Sequence, residues 1–477
     1  MLIKTFVVIK SLSILLLTGF MNSAKADDFI DPVLDGRYRS AHNKFIFGSS
    51  TDDKYRIPSM EKLNNGDIVF FAERRIDTFA LNDFKRQSIV MRKLSTNGSL
   101  SSERKIQIYS NAPRANTDGG DYKHNLMNPV PVYNKETGVL HLFYNHIVTY
   151  KSSHDMLKVA VMHTQSYDNG ETWTAAQDRT ADFTRNSCES VIIGPGRGIQ
   201  IPKGEPQGGR LLIPLHTKVI PGKDGTKYPK LDCSGYSGRF LVAMSDDDGL
   251  SWTKSNLLST GSSKAKFNEK QIVYLNGTLH MFSRLSGEYE YDGSGLAYSK
   301  DGGQTWLKGF NEAGPKDSQG NNVAMTGRFV TPTQSGLATD GQYIYYTTSV
   351  FYSWYEGLDN RREAWVHRID PNQMFDKHNS PVNVVQPITK SGFSNVATLY
   401  LGDNKIGVLW EEVRTWKPIK RIHNIFYTVV DTRDFRPILD PAWVDRGYRY
   451  FPVWNGSHHL LNEEILTGDK TNQWNPE

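Results

Sequence analysis

The chain has 477 residues, with 56 Lys and Arg against 51 Asp and Glu, and two cysteines. That length holds one large domain or two to three ordinary ones. The near balance of charge gives no global reason to expect nucleic acid, and two thiols, Cys188 and Cys233, are too few for a cysteine-built zinc centre or a disulfide framework.

Residues 1–26 read as a secretory signal: Lys4 and Lys10 open it, the apolar run FVVIKSLSILLLTGF follows, and Ala24-Lys25-Ala26 is a small-x-small cleavage site. The run is short for a membrane span, which takes roughly 20 residues, and no later segment is long and apolar enough. Losing Lys4, Lys10 and Lys25 lowers the formal charge from +5 to +2. The mature product is expected outside the cytoplasm, secreted or periplasmic. Residues 27–45 then read as an N-terminal arm.

From there on short apolar or alternating runs recur between turn residues: DIVFFAE (67–73), QSIVMRKL (87–94), VLHLFYNHIV (139–148), LKVAVMHTQS (157–166), RLLIPLHT (210–217), RFLVAMS (239–245), QIVYLNGTLHMFSR (271–284), YIYYTTSVFY (343–352), AWVHRI (364–369), KIGVLWEEV (405–413) and NIFYTVV (424–430). They predict an all-β chain. Two of the runs, and the stretch GSGLAYS (293–299), end in related octapeptides, SYDNGETW (166–173), SDDDGLSW (245–252) and SKDGGQTW (299–306). In each, Ser and Asp can bond turn amides, Gly permits positive φ, and Trp can pack back under the hairpin. One corner written three times points to repeated sheets, and radial repetition limits exposed edges in a β-propeller. The octapeptides read as fold staples. The propeller is placed over 46–435, and the Trp- and Pro-rich tail 436–477 is expected to pack on it.

Three such boxes downstream of YRIP (55–58), with FAERR (71–75), HNLMNPVPVYNKETGVLHLFYN (124–145), GPGRGIQIP (194–202), FNEKQIVYLNGTLHMFSR (267–284) and GFSNVATLYLGDNKIGVLWEE (392–412), resemble the bacterial and animal exo-sialidases, an Asp-box family of six-bladed propellers. The likeness covers roughly 50–415. It implies a glycosidase that removes terminal sialic acids from glycoconjugates, without a cofactor. A sialic acid carries a carboxylate on the carbon that must become cationic, so its enzyme needs fixed cations, and the planar, permanently charged guanidinium suits that better than an ammonium.

The resemblance implies a clamp of Arg56, Arg284 and either Arg361 or Arg362, with Arg361 preferred. Glu411 would hold Arg56, and Arg75 would make a further substrate contact. Asp83 would be the general acid, counted back from strand SIVMR, with Asp77 the alternative because the loop is long. Glu269 would activate the tyrosine nucleophile that sets sialidases apart from two-carboxylate glycosidases. Here the sequence departs from the pattern: the tyrosine's place in GFSN is taken by Phe393. Three readings stand open. Another tyrosine serves, with Tyr352, Tyr355 and Tyr400 near in sequence; water attacks without a tyrosyl intermediate; or hydrolysis is lost and a sialic-acid-binding propeller remains. A scaffold-only likeness is the third class of function. His124, His146, His163 and His216 lack metal-ligand spacing, no calcium loop is written, and a monomer acting on sialylated glycans is expected.

Overall fold

The computed structural model describes residues 43–436 except 51–52, 77–86, 108–121, 151–155, 185–189, 219–237, 261–264, 288–293, 310–324, 327–333, 352–361, 373–381 and 417–419, together with 453–454 and 459–460. Asp77, Asp83, Cys188, Cys233, Tyr352, Tyr355, Arg361 and the whole signal and arm up to His42 lie outside the described residues.

The regular structure of the described residues is almost entirely strand, in six antiparallel blades. Blade 1 runs Asp53–Lys62, Ile68–Ile76, Gln87–Leu94 and Arg104–Gln107. Blade 2 runs Tyr122–Tyr133, Leu140–Tyr150, Met156–Ser166 and Gln177–Asp178. In blade 3 the inner strand is broken: Ser190–Ile193 and Ile199–Gln200 both pair with Leu211–Lys218, followed by Phe240–Ser245 and Thr253–Lys254. Blade 4 holds Ala265–Leu275, Thr278–Gly287, Ser294–Ser299 and Leu307–Gly309. Blades 5 and 6 share one 21-residue strand, Val382–Gly402. Its first part is the last strand of blade 5, after Gly336–Thr339, Ile344–Phe351 and Arg362–Ile369; its second part begins blade 6, before Lys405–Trp416 and Lys420–Asp431. Lys44–Phe47 supplies the fourth strand of blade 6, so chain from ahead of blade 1 completes the last blade.

The apolar runs are continuous because a blade is covered on both faces. Val69, Phe70, Phe71 and Ala72 are all fully buried, yet they serve two cores. Phe70 and Ala72 pack with Leu399, Leu409 and Tyr427 of blade 6, while Val69 and Phe71 pack with Leu140 and Leu142 of blade 2. Alternate side chains of one strand point to opposite faces, so one run joins three blades.

The octapeptides sit at the corner between third and fourth strands of blades 2, 3 and 4. Ser166 Oγ donates to Asp168 Oδ1 at 2.8 Å and accepts the Gly170 amide at 2.8 Å, Asp168 accepts the Thr172 amide at 2.8 Å, and Trp173 Nε1 donates to the Gly170 carbonyl at 3.2 Å. The same bonds recur around Asp247 and Asp301. The tryptophan rings do more than fold back on their own hairpins. Trp173 packs on Phe71 of blade 1, Trp252 on Phe143 of blade 2 and Trp306 on Phe240 of blade 3, with interplanar angles of 80°, 80° and 89°. The turn glycines press the same joints: a Cβ on Gly249 would lie 2.6 Å from the His141 ring, and φ there is +83°. Each octapeptide therefore fastens its blade to the one before.

Trp306 is 1% exposed and Trp252 7%, whereas Trp173 is only half-buried. Trp306→Ala should cost ~3–5 kcal/mol and Trp173→Ala clearly less, read as the shift in a denaturant midpoint; equal costs would contradict the joint. Burial is the largest single influence on Asp168 and opposes its ionisation, but hydrogen bonds from the Thr172 hydroxyl and amide, from Ser166 and from the Glu171 amide together outweigh it and hold the carboxyl at about 2. Its folded value is depressed, so its contribution is complete above the ordinary aspartate value of about 3.9 and is lost as pH falls towards 2. Asp168→Asn should flatten that part of an acid-unfolding profile.

Candidate functional site

The inner strands of blades 1, 2, 4 and 6 all carry an irregularity at one level. Register slips between Arg56 and Ser59, Met127 and Val130, Phe267 and Lys270, and Phe393 and Val396. In the first two the cause is a residue in the left-handed region before a proline: Ile57 at φ +53° and Asn128 at φ +57°. A β-branched residue there costs on the order of 1–3 kcal/mol and persists only where its surroundings enforce it. A bulge re-aims the side chains beside it, and the polar groups at this level meet.

Arg56 Nε donates to Glu411 Oε1 at 2.7 Å, joining blade 1 to blade 6 across 355 residues of sequence. Glu411 is fully buried, and its other oxygen accepts from Asn395 Nδ2 at 2.8 Å. Directly across the hairpin from Arg56 stands Glu73, whose Oε2 accepts from Arg75 Nε at 3.0 Å and Nη2 at 2.5 Å. Both members of that pair are buried. Glu73 Oε1 accepts the Asn128 amide at 2.8 Å, and Asn128 Nδ2 donates to the Ile193 carbonyl at 3.1 Å, carrying the network into blades 2 and 3.

Blade 4 closes on the same stretch of blade 3. Arg284 Nη1 contacts Glu269 Oε2 at 3.2 Å, both side chains being about one-fifth exposed. The next two residues grip blade 3. The Lys270 ammonium donates to the carbonyls of Ile192 and Gly194 at 3.1 and 3.0 Å and to His216 Nδ1 at 2.6 Å. Gln271 Nε2 donates to the Pro195 carbonyl at 2.6 Å and approaches Gly196 so closely that no Cβ fits there. Burial, then the Lys270 charge, pushes His216 well below its ordinary value, so a neutral imidazole accepts from the ammonium. Burial also lowers Lys270, against the pull of Glu269. Arg197, in the same loop, reaches Glu61 of blade 1 at 3.4 Å. The loop 194–198 thus ties together the inner strands of blades 1, 2 and 4.

The structure pairs Arg56 with Glu411, Arg75 with Glu73 (the residue in register with Arg56), and Arg284 with Glu269, whose neighbour Lys270 bonds the Ile192 and Gly194 carbonyls on either side of the Ile193 carbonyl that Asn128 holds. Arg362 opens the third strand of blade 5 in register with Gly392, beside Phe393. Phe393 itself is fully buried in the core between blades 5 and 6, stacked on Trp410 at 6.1 Å. The bulge leaves Asn395, not Phe393, aimed at Glu411. Tyr400 does not serve this site: it lies seven residues further along the strand, roughly 20 Å away at about 3.3 Å per residue, at the end where Lys62 Nζ bonds the Leu401 carbonyl. Glu73, Asn128, Lys270 and Asn395 all lie inside recognised segments but carry no individual signal; only the Asn-Pro of LMNP, matching the Ile-Pro of YRIP, hints that Asn128 sits at a bulge.

A family described as a BNR repeat-like domain matches residues 108–336, just under half of the chain. The chain is 26% identical over 308 residues to sialidase-2 of Cricetulus griseus, covering 62% of this chain and 73% of that protein. It is 27% identical over 255 residues to sialidase-2 of Mus musculus, where the match spans 50% of this chain and 62% of the relative, under two thirds. With the sialidase of Paraclostridium sordellii it shares 24% identity over 371 residues, 75% and 81% of the two chains. Among solved structures, the intramolecular trans-sialidase from Ruminococcus gnavus shares the fold at a TM-score of 0.56 and 16% identity, over 82% of this chain and 98% of the other. Fold and site together define a β-propeller of the glycoside-hydrolase kind. The chain is similar to sialidases and carries a match to a BNR repeat-like domain.

Removing the Glu411 carboxylate takes from Arg56 its 2.7 Å ion pair in a nearly closed space. Glu411→Ala should lower stability by about 3–5 kcal/mol, while Glu411→Gln, which keeps an acceptor oxygen, should cost less. Chemical denaturation of the two variants checks the order.

Proposed function

We propose that the protein is a secreted exo-α-sialidase that hydrolyses terminal sialic acids from glycoconjugates. The single observation carrying this is that Arg56 and Arg284, from blades 1 and 4, each stand against a glutamate beside a register break of an inner strand. In this reading Arg56, Arg284 and Arg361 or Arg362 hold the sugar carboxylate, and Arg75 adds a cation behind Glu73. Asp83, or Asp77 in its place, protonates the leaving oxygen as the bond to the anomeric carbon breaks and regains its proton from solvent after turnover. Glu269 is the base on the other side. With Phe393 in the core, direct attack by water that Glu269 deprotonates fits better than a tyrosyl intermediate formed at that position.

A second reading, a sialic-acid-binding propeller without turnover, is favoured by that same burial of Phe393, because the GFSN segment offers no phenol. Release of free sialic acid from a fluorogenic sialoside separates the two. The hydrolase reading requires release, with kcat/KM lowered at least about 100-fold in Arg56→Ala; no release by the wild-type protein rejects it. Phe393→Tyr should not raise activity. It places a hydroxyl in apolar packing and should instead cost about 1–3 kcal/mol of stability. N-terminal sequencing of protein recovered outside the cytoplasm should begin at Asp27.

A further inference from the structure

The corner of blade 5 that would meet blade 4 is not written as an octapeptide. The corner of blade 5 that corresponds to the octapeptides follows strand Arg362–Ile369 and reads DPNQMF, 370–375. It has neither the glycine nor the tryptophan; Phe375, in the tryptophan's register, lies outside the described residues. Facing Pro371 and Asn372 of this corner, blade 4 presents a cavity of about 550 Å³, well within the roughly 300–1,000 Å³ of small-molecule sites.

Its polar lining is Asn276, Thr278, His280, Lys300 and Lys308, with Tyr298 as an aromatic wall. Lys300 and Lys308 have no hydrogen bond or ion pair among the described residues, so two ammonium groups reach one cavity with no described carboxylate paired to either. His280 is 6% exposed, lines the cavity, and its Nδ1 has no hydrogen-bond partner among the described residues. A buried polar atom of this kind costs about 1–3 kcal/mol unless something bonds to it. Burial holds His280 down at about 4, so at neutral pH it is an uncharged imidazole able to donate or accept. Leu275, at this end of its strand, is six residues from Glu269, roughly 20 Å at about 3.3 Å per residue. The cavity is therefore on the opposite face from the candidate catalytic groups.

Paired ammonium groups select an anion, and an amide, a hydroxyl, an imidazole and an aromatic ring are what the hydroxyls and apolar face of a sugar require. We propose that the cavity between blades 4 and 5 is a second saccharide site, taking a carboxylate-bearing sugar of one or two units. Lys300 and Lys308 meet the carboxylate, and His280, Asn276 and Thr278 meet the hydroxyls. Such a site would hold an acidic glycan on the protein while another branch is at the catalytic face, raising its effective concentration there. The inference goes beyond the proposed hydrolysis and stands without it.

The test is calorimetric titration of the full-length mature chain with N-acetylneuraminic acid, glucuronic acid, N-acetylglucosamine and inorganic phosphate. Wild type is compared with Arg56→Ala (or Arg284→Ala should that variant not fold) and with Lys300→Ala/Lys308→Ala. Binding of the acidic sugars should survive the arginine substitution and weaken at least 10-fold in the lysine variant, whose hydrolysis of a soluble sialoside should stay unchanged. His280→Gln should weaken binding less. Loss of all binding in the arginine variant, equal binding of N-acetylglucosamine, equal binding of phosphate, or unaltered affinity in the lysine variant would each overturn the proposal. Hydrolysis that persists at the wild-type rate in Arg56→Ala would count against the proposed function and leave the saccharide arms to be read on their own.

Discussion

The Arg56–Glu411 pair is the contact on which the rest of the site depends. A carboxylate with no exposure is expensive to keep ionised unless its charge and lone pairs are met, and here one oxygen takes the Arg56 guanidinium and the other the Asn395 amide. The bond joins the first blade to the sixth. It therefore acts beside the sheet closure made by Lys44–Phe47 on Lys420–Asp431. Ring closure and the fixing of Arg56 are one event. A propeller whose first and last blades slipped apart would lose its arginine geometry before it lost its strands.

Around that pair, bulges carry the design. Inner strands of blades packed on both faces should run straight, with alternate side chains committed to the two neighbouring cores. At one level four of them do not, and two of the breaks are held by a left-handed residue before proline. The strain at Ile57 is local, and it coincides with the point where Arg56 leaves the alternation to meet Glu411. Lys270 shows the same economy from the opposite side: strand alternation sends Glu269 towards Arg284 and Lys270 into blade 3, where three acceptors surround its ammonium.

The octapeptides have a different task, on the other end of the strands. Their Ser, Asp and Gly shape the corner, but the tryptophans act between blades, and the joint repeats with the same edge-to-face geometry. Their unequal spacing follows from blade 3. Its inner strand is interrupted by the loop 194–198, and its second and third strands are separated by 219–237, so more chain lies between the first two octapeptides than between the last two.

Much of this was legible in the residues. The strand runs, the three corners and the all-β class follow from local patterning, because period-two alternation and turn chemistry are properties of a few adjacent residues. DIVFFAE, KIGVLWEEV and NIFYTVV all fall on observed strands. Arg56, Arg75, Arg284, Glu269 and Glu411 could be picked out as candidates because YRIP, AERR, NEK, MFSR and VLWE are short, recognisable segments. What the sequence could not decide is where side chains meet. That Trp306 fastens blade 4 to blade 3, that Lys270 ends on His216, that Asn395 and not Phe393 faces Glu411, and that a cavity opens beside Lys300 all depend on pairs of residues tens to hundreds of positions apart. Such contacts are set by how bulges turn a strand and how one blade lies on the next, and neither leaves a mark in any short stretch of sequence.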